Sequence, residues 1–370
     1  MADSQENLQV ISLNDEKVIL LGDTHFGARS DSQLFHDFFE QFFEYMFEYM
    51  KQNSIKTIVQ FGDLFDRRKF VNYVTLKRCR EYFFDKIRDN GFTLIAFLGN
   101  HDVSYKNTLD VASPVLLIRG QYDDCVIILN EPAILEWGNS RALCVPWICA
   151  SNEEACLKHI AAADTQMCFG HFEISGFEMY KGAPSHSGLD SEVFWRFESV
   201  YSGHFHHVST RGNITYIGSP YQIMWSDHGD ERGFFVLDTK KRASSFIPNP
   251  YHMFYKWLYD DSVIGYEDIE LIDFNQYASR YVKVIVKDKT DLIKYDRFIE
   301  KLNAVGAIVT PVEDHQHKNI VSDDEIALEA EDTLTFFKKI SDNADSSVDS
   351  FKLYTLLVDL YTEATNNTII

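Results

Sequence analysis

Between residues 17 and 248 the chain repeats one arrangement. A short run of Val, Ile, Leu and Phe ends in a polar cluster that pairs Gly with Asp, Asn or His. The run 18–21 leads into Gly22-Asp23-Thr24-His25, 57–61 into Gly62-Asp63, and 93–98 into Gly99-Asn100-His101-Asp102. Further on, 167–169 leads into Gly170-His171, and 200–201 into Ser202-Gly203-His204-Phe205-His206-His207. Runs this short, bounded by turn formers, predict buried strands, with helical segments between the first three. Ligand sites in layered α/β folds gather at the carboxyl ends of strands. The five clusters are therefore where chemistry is expected.

The clearest helical period lies in 31–50, where Leu34, Phe35, Phe38, Phe39, Phe42, Phe43, Met46 and Phe47 form a stripe wider than one core face needs. Two readings stay open: a deeply buried helix, or one that also packs on a second subunit. The segment 8–21 predicts a hairpin turning at Asn14-Asp15, after an arm of seven residues. Residues 249–275 open on Asn249-Pro250 and lack a clear period, which predicts a linker. Strand, helix and strand follow at 281–286, 292–303 and 307–312 as a small unit. The domain reading is an N-terminal extension at 1–16, a catalytic domain at 17–248, the linker at 249–275, a cap at 276–315, and an acidic linker with a terminal helix at 316–370. In that helix Phe351, Tyr354, Leu357, Val358 and Tyr361 recur at three- and four-residue spacing and share one face. It packs either on its own cap or on a partner protein.

Composition narrows the class. The 370 residues carry a formal charge of −21, which argues against a protein that coats DNA nonspecifically. A nuclease stays open, because metal ions supply positive charge locally. The tail from Glu313 holds 13 acidic against 4 basic residues. The six scattered cysteines form no CxxC pair, and the expectation is buried, reduced thiols in a cytoplasmic protein. Neither a signal peptide nor a membrane span is expected.

Two divalent ions held close together need a bridging carboxylate with neutral or anionic ligands around it. Asp23 and His25 alternate at one strand end, and Asp63 is the natural bridge. Asn100 offers a carbonyl oxygen, and His171, His204 and His206 offer imidazole nitrogens. Mixed oxygen and nitrogen donors suit manganese, iron or zinc better than calcium. Any one of these clusters alone is a weak signal; five in order, each after an apolar run, are a strong one.

Several neighbours have second roles. His101 follows a ligand directly and is placed to protonate a leaving oxygen or stabilise phosphoryl charge. Asp66 either accepts a hydrogen bond from His101 and sets its tautomer, or caps its loop. Asp102 either caps a turn or orients a ligand, and His207 supports the site or the fold. Arg67, Arg68 and Lys69 beside the site, with Lys181 in a Gly-flanked loop, suit phosphate contact with DNA, or face solvent as an ordinary charged run.

At these residues the chain resembles the calcineurin-like metallophosphoesterases, through GDTH (22–25), GDLFD (62–66), GNHD (99–102), GH (170–171) and GHFH (203–206). Within that superfamily it is similar to the SbcD-type nucleases of double-strand-break repair, especially their T-even phage members. Val145-Pro146-Trp147, Tyr180-Lys181-Gly182, Tyr216-Ile217-Gly218 and Phe246-Ile247-Pro248-Asn249 add to the likeness. It covers 17–260 well and continues more loosely to the end. The resemblance implies an α/β fold, a sandwich of two sheets flanked by helices, then a small βαβ cap and a C-terminal segment that binds an SbcC-type coiled-coil ATPase. It implies a homodimer with manganese-dependent exonuclease and endonuclease activity on DNA, magnesium being the alternative ion. It also implies the ligand sets: Asp23, His25, Asp63 and His206 for one metal; Asp63, Asn100, His171 and His204 for the other; and His101 as the catalytic histidine. One departure stands out. Some members carry His where this chain has Asp66, whereas phosphoprotein phosphatases carry Asp followed by Arg, as here with Arg67.

The expected reaction is in-line hydrolysis of a DNA phosphodiester, His101 assisting the leaving oxygen. The rivals are a phosphomonoesterase or cyclic-nucleotide phosphodiesterase with the same site, and an inactive scaffold subunit of a repair complex. The cap and acidic tail favour the nuclease, and the complete ligand set disfavours the scaffold.

Overall fold

The computed structural model describes residues 8–180, 183–185, 187–313, 341, 352–354 and 356–357. The chain divides into two compact units, 1–312 and 313–370.

In the first unit two sheets carry the apolar runs. A six-stranded sheet has the order Ala243–Pro248, Gly233–Asp238, Lys17–Leu21, Thr57–Gln60, Thr93–Phe97, Val126–Leu129. Its last four strands are mutually parallel. A seven-stranded sheet runs Gln9–Ser12, Ala133–Trp137, Ser140–Val145, Met167–His171, Ser199–Gly203, Ile214–Tyr216, Ser209–Arg211. Alternation along Lys17–Leu21 shows how the layers form, because successive side chains in a strand face opposite ways. Val18 and Leu20 pack with Val59, Phe61, Ile95 and Phe97 against Leu135, Cys144 and Phe169 of the other sheet. Ile19 and Leu21 face the opposite way, into a Phe-rich cluster under the helices. The two-sheet α/β sandwich is the fold.

The helix Gln33–Gln52 supplies much of that cluster. Phe35, Phe38, Phe39, Phe42, Phe43, Met46, Phe47 and Met50 are all buried within the protomer. The wide stripe is thus used up by one chain. Phe39 stacks on Tyr221 at 3.9 Å, and Phe35 reaches Phe254 and Tyr281.

Two expectations change. Segment 8–21 is not a hairpin: Gln9–Ser12 pairs in parallel with Ala133–Trp137, while Lys17–Leu21 lies in the other sheet. Asn14-Asp15 lies where the chain crosses between layers. Nor is 249–275 a linker. Phe254–Asp260 forms a strand parallel to Tyr281–Asp288, and Tyr259, Ile269, Phe274 and Tyr277 share a core with Val282, Val284 and Phe298. The small sheet expected as a cap therefore has three strands, Phe254–Asp260, Tyr281–Asp288 and Ile308–Glu313, with the helix Leu292–Ala304 between the last two.

All six cysteines are buried and free, and burial raises the thiol pKa of five of them, Cys79, Cys125, Cys144, Cys156 and Cys168. Among the described residues no helix is long and apolar enough to cross a membrane. In the second unit 352–354 and 356–357 are helical, with Tyr354 and Leu357 half-buried. Phe351, Val358 and Tyr361 lie outside the described residues, as do residues 1–7.

Candidate metal centre

Five strand ends, three from the six-stranded sheet and two from the seven-stranded sheet, deliver the polar clusters to one place. The turns after them are tight enough to require glycine. A Cβ on Gly62, where φ is +96°, would sit 2.5 Å from His171 Nδ1. One on Gly99 would sit 2.2 Å from both the Asp63 amide nitrogen and Oδ1. Three non-glycine ligand candidates also take left-handed backbone: His25 (φ 43°), Asp63 (φ 50°) and His204 (φ 88°). Such conformations are uncommon for side-chain-bearing residues and mark functional turns.

The side chains assemble into two groups. Asp23, His25 and His206 each offer a ligand atom within 4.8 Å of the others, and so do Asp63, His171 and His204. Asp63 joins them, its Oδ2 lying 3.8 Å from His25 Nε2 and 3.5 Å from His171 Nε2. Its other oxygen accepts the His101 amide N–H at 2.7 Å, which fixes the rotamer. Asn100 Oδ1 lies 2.9 Å from His171 Nε2 and 2.9 Å from His204 Nδ1.

The donor set fits cations. His171 Nδ1 donates to the Phe61 carbonyl at 2.7 Å, so the neutral ring presents the Nε2 lone pair to Asp63 and Asn100, both of which offer oxygen lone pairs. His25 Nε2 and His206 Nε2 face one another at 2.8 Å, and the buried His25 Nδ1 has no hydrogen-bond partner. The lone pairs that converge at His171 Nε2, Asp63 and Asn100 favour positive charge placed among them.

Electrostatics agrees. Burial pushes the His25 and His204 imidazoles down to about 3, and lowers His171 and His206 as well. All four are neutral, as metal ligation requires. Burial and the nearby Asp63 raise the Asp23 carboxyl well above its usual range. Burial opposes ionisation of Asp63 too, but His171, His101 and His25 outweigh it and hold that carboxyl below its usual range.

His101 stands beside the ligands, its ring edge-on to His25 with centroids 5.0 Å apart. Its Nδ1 donates to the main-chain carbonyl of Asp66 at 2.6 Å. The expected role of the Asp66 side chain is therefore corrected: the backbone of Asp66 orients His101, and the carboxylate lies 3.6 Å from His25 Nδ1. Asp102 acts as a clamp. Its Oδ1 accepts the Leu64 and Phe65 amides, and its Oδ2 the Gly99 amide, tying two ligand-bearing turns together. His207 pairs with Asp230 at 3.0 Å and belongs to neither group.

The basic run divides. Arg67 is committed to Asp31 at 2.9 Å and lies over the Phe70 ring. Arg68 and Lys69 form no ion pair among the described residues. Lys181 lies outside them.

Sequence reasoning missed two residues. Buried Arg232 donates to the His206 carbonyl, to Ser219 Oγ at 2.7 Å and to Asp227 at 2.7 Å, holding the loop that carries a ligand. Trp147 packs within 5.2 Å of the His204 ring and 5.8 Å of the His171 ring. Arg232 has no local signature. Trp147 stood in a matching Val-Pro-Trp stretch that carried no role.

No family model matches the chain. Exonuclease subunit 1 of Enterobacteria phage T4 is 31% identical over 355 residues, spanning 94% of this chain and 99% of the relative. Among solved structures, GAP50, the anchor in the inner membrane complex of Plasmodium, aligns at a TM-score of 0.38 with 13% identity, over 82% of this chain and 99% of that one. Glutamine-dependent NAD+ synthetase from Acinetobacter baumannii aligns at 0.28 with 11% identity, over 94% and 72%. Both scores are too low to bear on fold or function.

Proposed function

The chain belongs to the SbcD-related exonuclease subunits of phages, and from that premise we propose that it is a divalent-metal-dependent DNA nuclease of recombination and repair. The observation that carries the reading is Asp63, whose Oδ2 stands between two histidine-bearing ligand groups. Asp23, His25, Asp63 and His206 would hold one ion, and Asp63, Asn100, His171 and His204 the other, manganese first and magnesium as the alternative. Bound ions supply Lewis-acid charge neutralisation at the phosphoryl group and a nucleophile at neutral pH.

The remaining steps belong to the side chains. His101, oriented through Nδ1 by the Asp66 carbonyl, presents Nε2 to the leaving oxygen and delivers its proton as that bond breaks. The Asp102 clamp keeps the Asp63 and Asn100 turns in register, so little reorganisation is needed when phosphate binds. Arg68 and Lys69 contact flanking phosphates, with Lys181 from the loop past His171. Arg67 is held by Asp31 and shapes that edge rather than binding freely. The protein acts as a homodimer. Its C-terminal segment, where the sequence spacing of Phe351, Tyr354, Leu357, Val358 and Tyr361 predicts one apolar face, docks an SbcC-type ATPase.

Digestion of end-labelled DNA with manganese or magnesium, with and without the ATPase, tests the proposal. Parallel turnover of bis(p-nitrophenyl) phosphate and p-nitrophenyl phosphate separates a phosphodiesterase from a phosphomonoesterase. Preference for the monoester with no DNA cleavage would overturn the nuclease reading.

A further inference from the structure

A cavity of about 330 Å³ opens beside His171, within the ~300–1,000 Å³ typical of small-molecule sites. Trp147, Ile148, Cys149 and Ala150 line it, with Phe172 and Leu189. The Trp147 ring, packed on His171 and His204, continues the second ligand group directly into this cavity. Its loop is braced. The Trp147 amide donates to the Leu98 carbonyl at 2.8 Å. Asn152 donates to the Trp147 carbonyl at 3.0 Å and accepts the Cys149 amide at 2.7 Å. A wall fixed in advance lowers the cost of ordering a ligand against it.

The charge lining this cavity is unlike that of a phosphate site. Glu153 and Glu173 line it, and no Lys or Arg does so among the described residues. Ser187 Oγ donates to the Glu173 carboxylate and so orients it. An aromatic face stacks any nucleobase, and carboxylates accept hydrogen bonds from hydroxyl or amino groups while repelling phosphate. An internal nucleotide is flanked by phosphates on both sides, and seating it here would set one of them against the glutamates. A terminal nucleoside has only the phosphate that faces the metal ligands.

We propose that this cavity receives the terminal nucleoside of the strand being cut, with Trp147 as stacking face and Glu153 and Glu173 selecting a hydroxyl end over a phosphorylated one. The subsite rests on the nuclease reading above. The test uses the full chain with manganese, bis(p-nitrophenyl) phosphate, and single-stranded oligonucleotides bearing hydroxyl or phosphate at either end. Ala150→Trp, which fills the cavity away from the ligands, should lower the ratio of oligonucleotide to bis(p-nitrophenyl) phosphate turnover by about five- to a hundredfold. Glu153→Gln with Glu173→Gln should raise cleavage of the phosphate-ended strand relative to the hydroxyl-ended one by about fivefold. If Ala150→Trp does not fold, the paired Gln variant decides alone. Hydrolysis by the parent with neither ratio moved would overturn the subsite and leave the nuclease reading intact. No hydrolysis of either substrate by the parent would overturn both.

Discussion

The floor and the rim of the candidate metal centre are built differently. On the floor, Asp23, His25, Asp63, Asn100 and His171 are buried, and most of their polar atoms touch a second ligand candidate or a backbone group. On the rim, the loop 66–70 is half-buried to exposed, and its side chains make few contacts with the ligands. The floor is held by main-chain geometry at strand ends, the rim by hydrogen bonds of the Asp66 and Arg68 backbone to His101, Phe26 and Ser104 and by an ion pair through Arg67. A fixed floor suits charge that must be placed before substrate arrives. A looser rim suits a polymer that enters in more than one register.

Removing the floor's shared oxygen tests this most severely. Asp63→Ala should reduce DNA cleavage to the no-enzyme level and lower manganese stoichiometry; wild-type turnover with full metal would refute the bridge. His101→Ala, at the boundary of floor and rim, should keep its metal and lose about 10²–10⁴ in kcat. Loss of an ion instead would make His101 a ligand. Arg232→Lys keeps the charge but cannot fork to Asp227, Ser219 and the His206 carbonyl together. Metal affinity of the group containing His206 should weaken by ~10–100-fold, read by manganese titration, while the other group stays filled; equal weakening of both would mean a general loss of fold.

Smaller effects belong to the rim. Asp66→Asn should slow turnover within about tenfold, or ~1.4 kcal/mol, and leave the pH profile of kcat in place, because the carbonyl that orients His101 remains. A displaced profile would return the carboxylate to the role of His101's partner. Arg68→Gln with Lys69→Gln should reduce the log–log salt slope of DNA binding by about one unit per lost phosphate contact. An unchanged slope would mean that both residues face solvent.

The floor was legible in the sequence because each part of it is local: an apolar run, a glycine, then an Asp, Asn or His within three residues. The rest depends on contacts that no window contains. Arg232 meets the His206 carbonyl across 26 positions. The choice between the side chain and the carbonyl of Asp66 is a choice between atoms, which residue type does not decide. Phe254–Asp260 was read as linker because its aromatic residues and Lys256 do not alternate, and its burial is likewise irregular. It becomes a strand because Tyr281–Asp288 offers it a partner. The N-terminal segment misled in the opposite way: its turn residues and alternation fit a hairpin, but each strand found a better neighbour in a different sheet.

The left-handed backbone at His25, Asp63 and His204 has a consequence for anyone hardening this protein against heat. Each such residue costs of order 1–3 kcal/mol, and glycine at the same place would relieve it. A screen that rewards survival at high temperature and ignores turnover would thus be drawn to the positions that matter most. It would return a sturdier protein with its centre erased, so selection for durability here has to be coupled to selection for cutting.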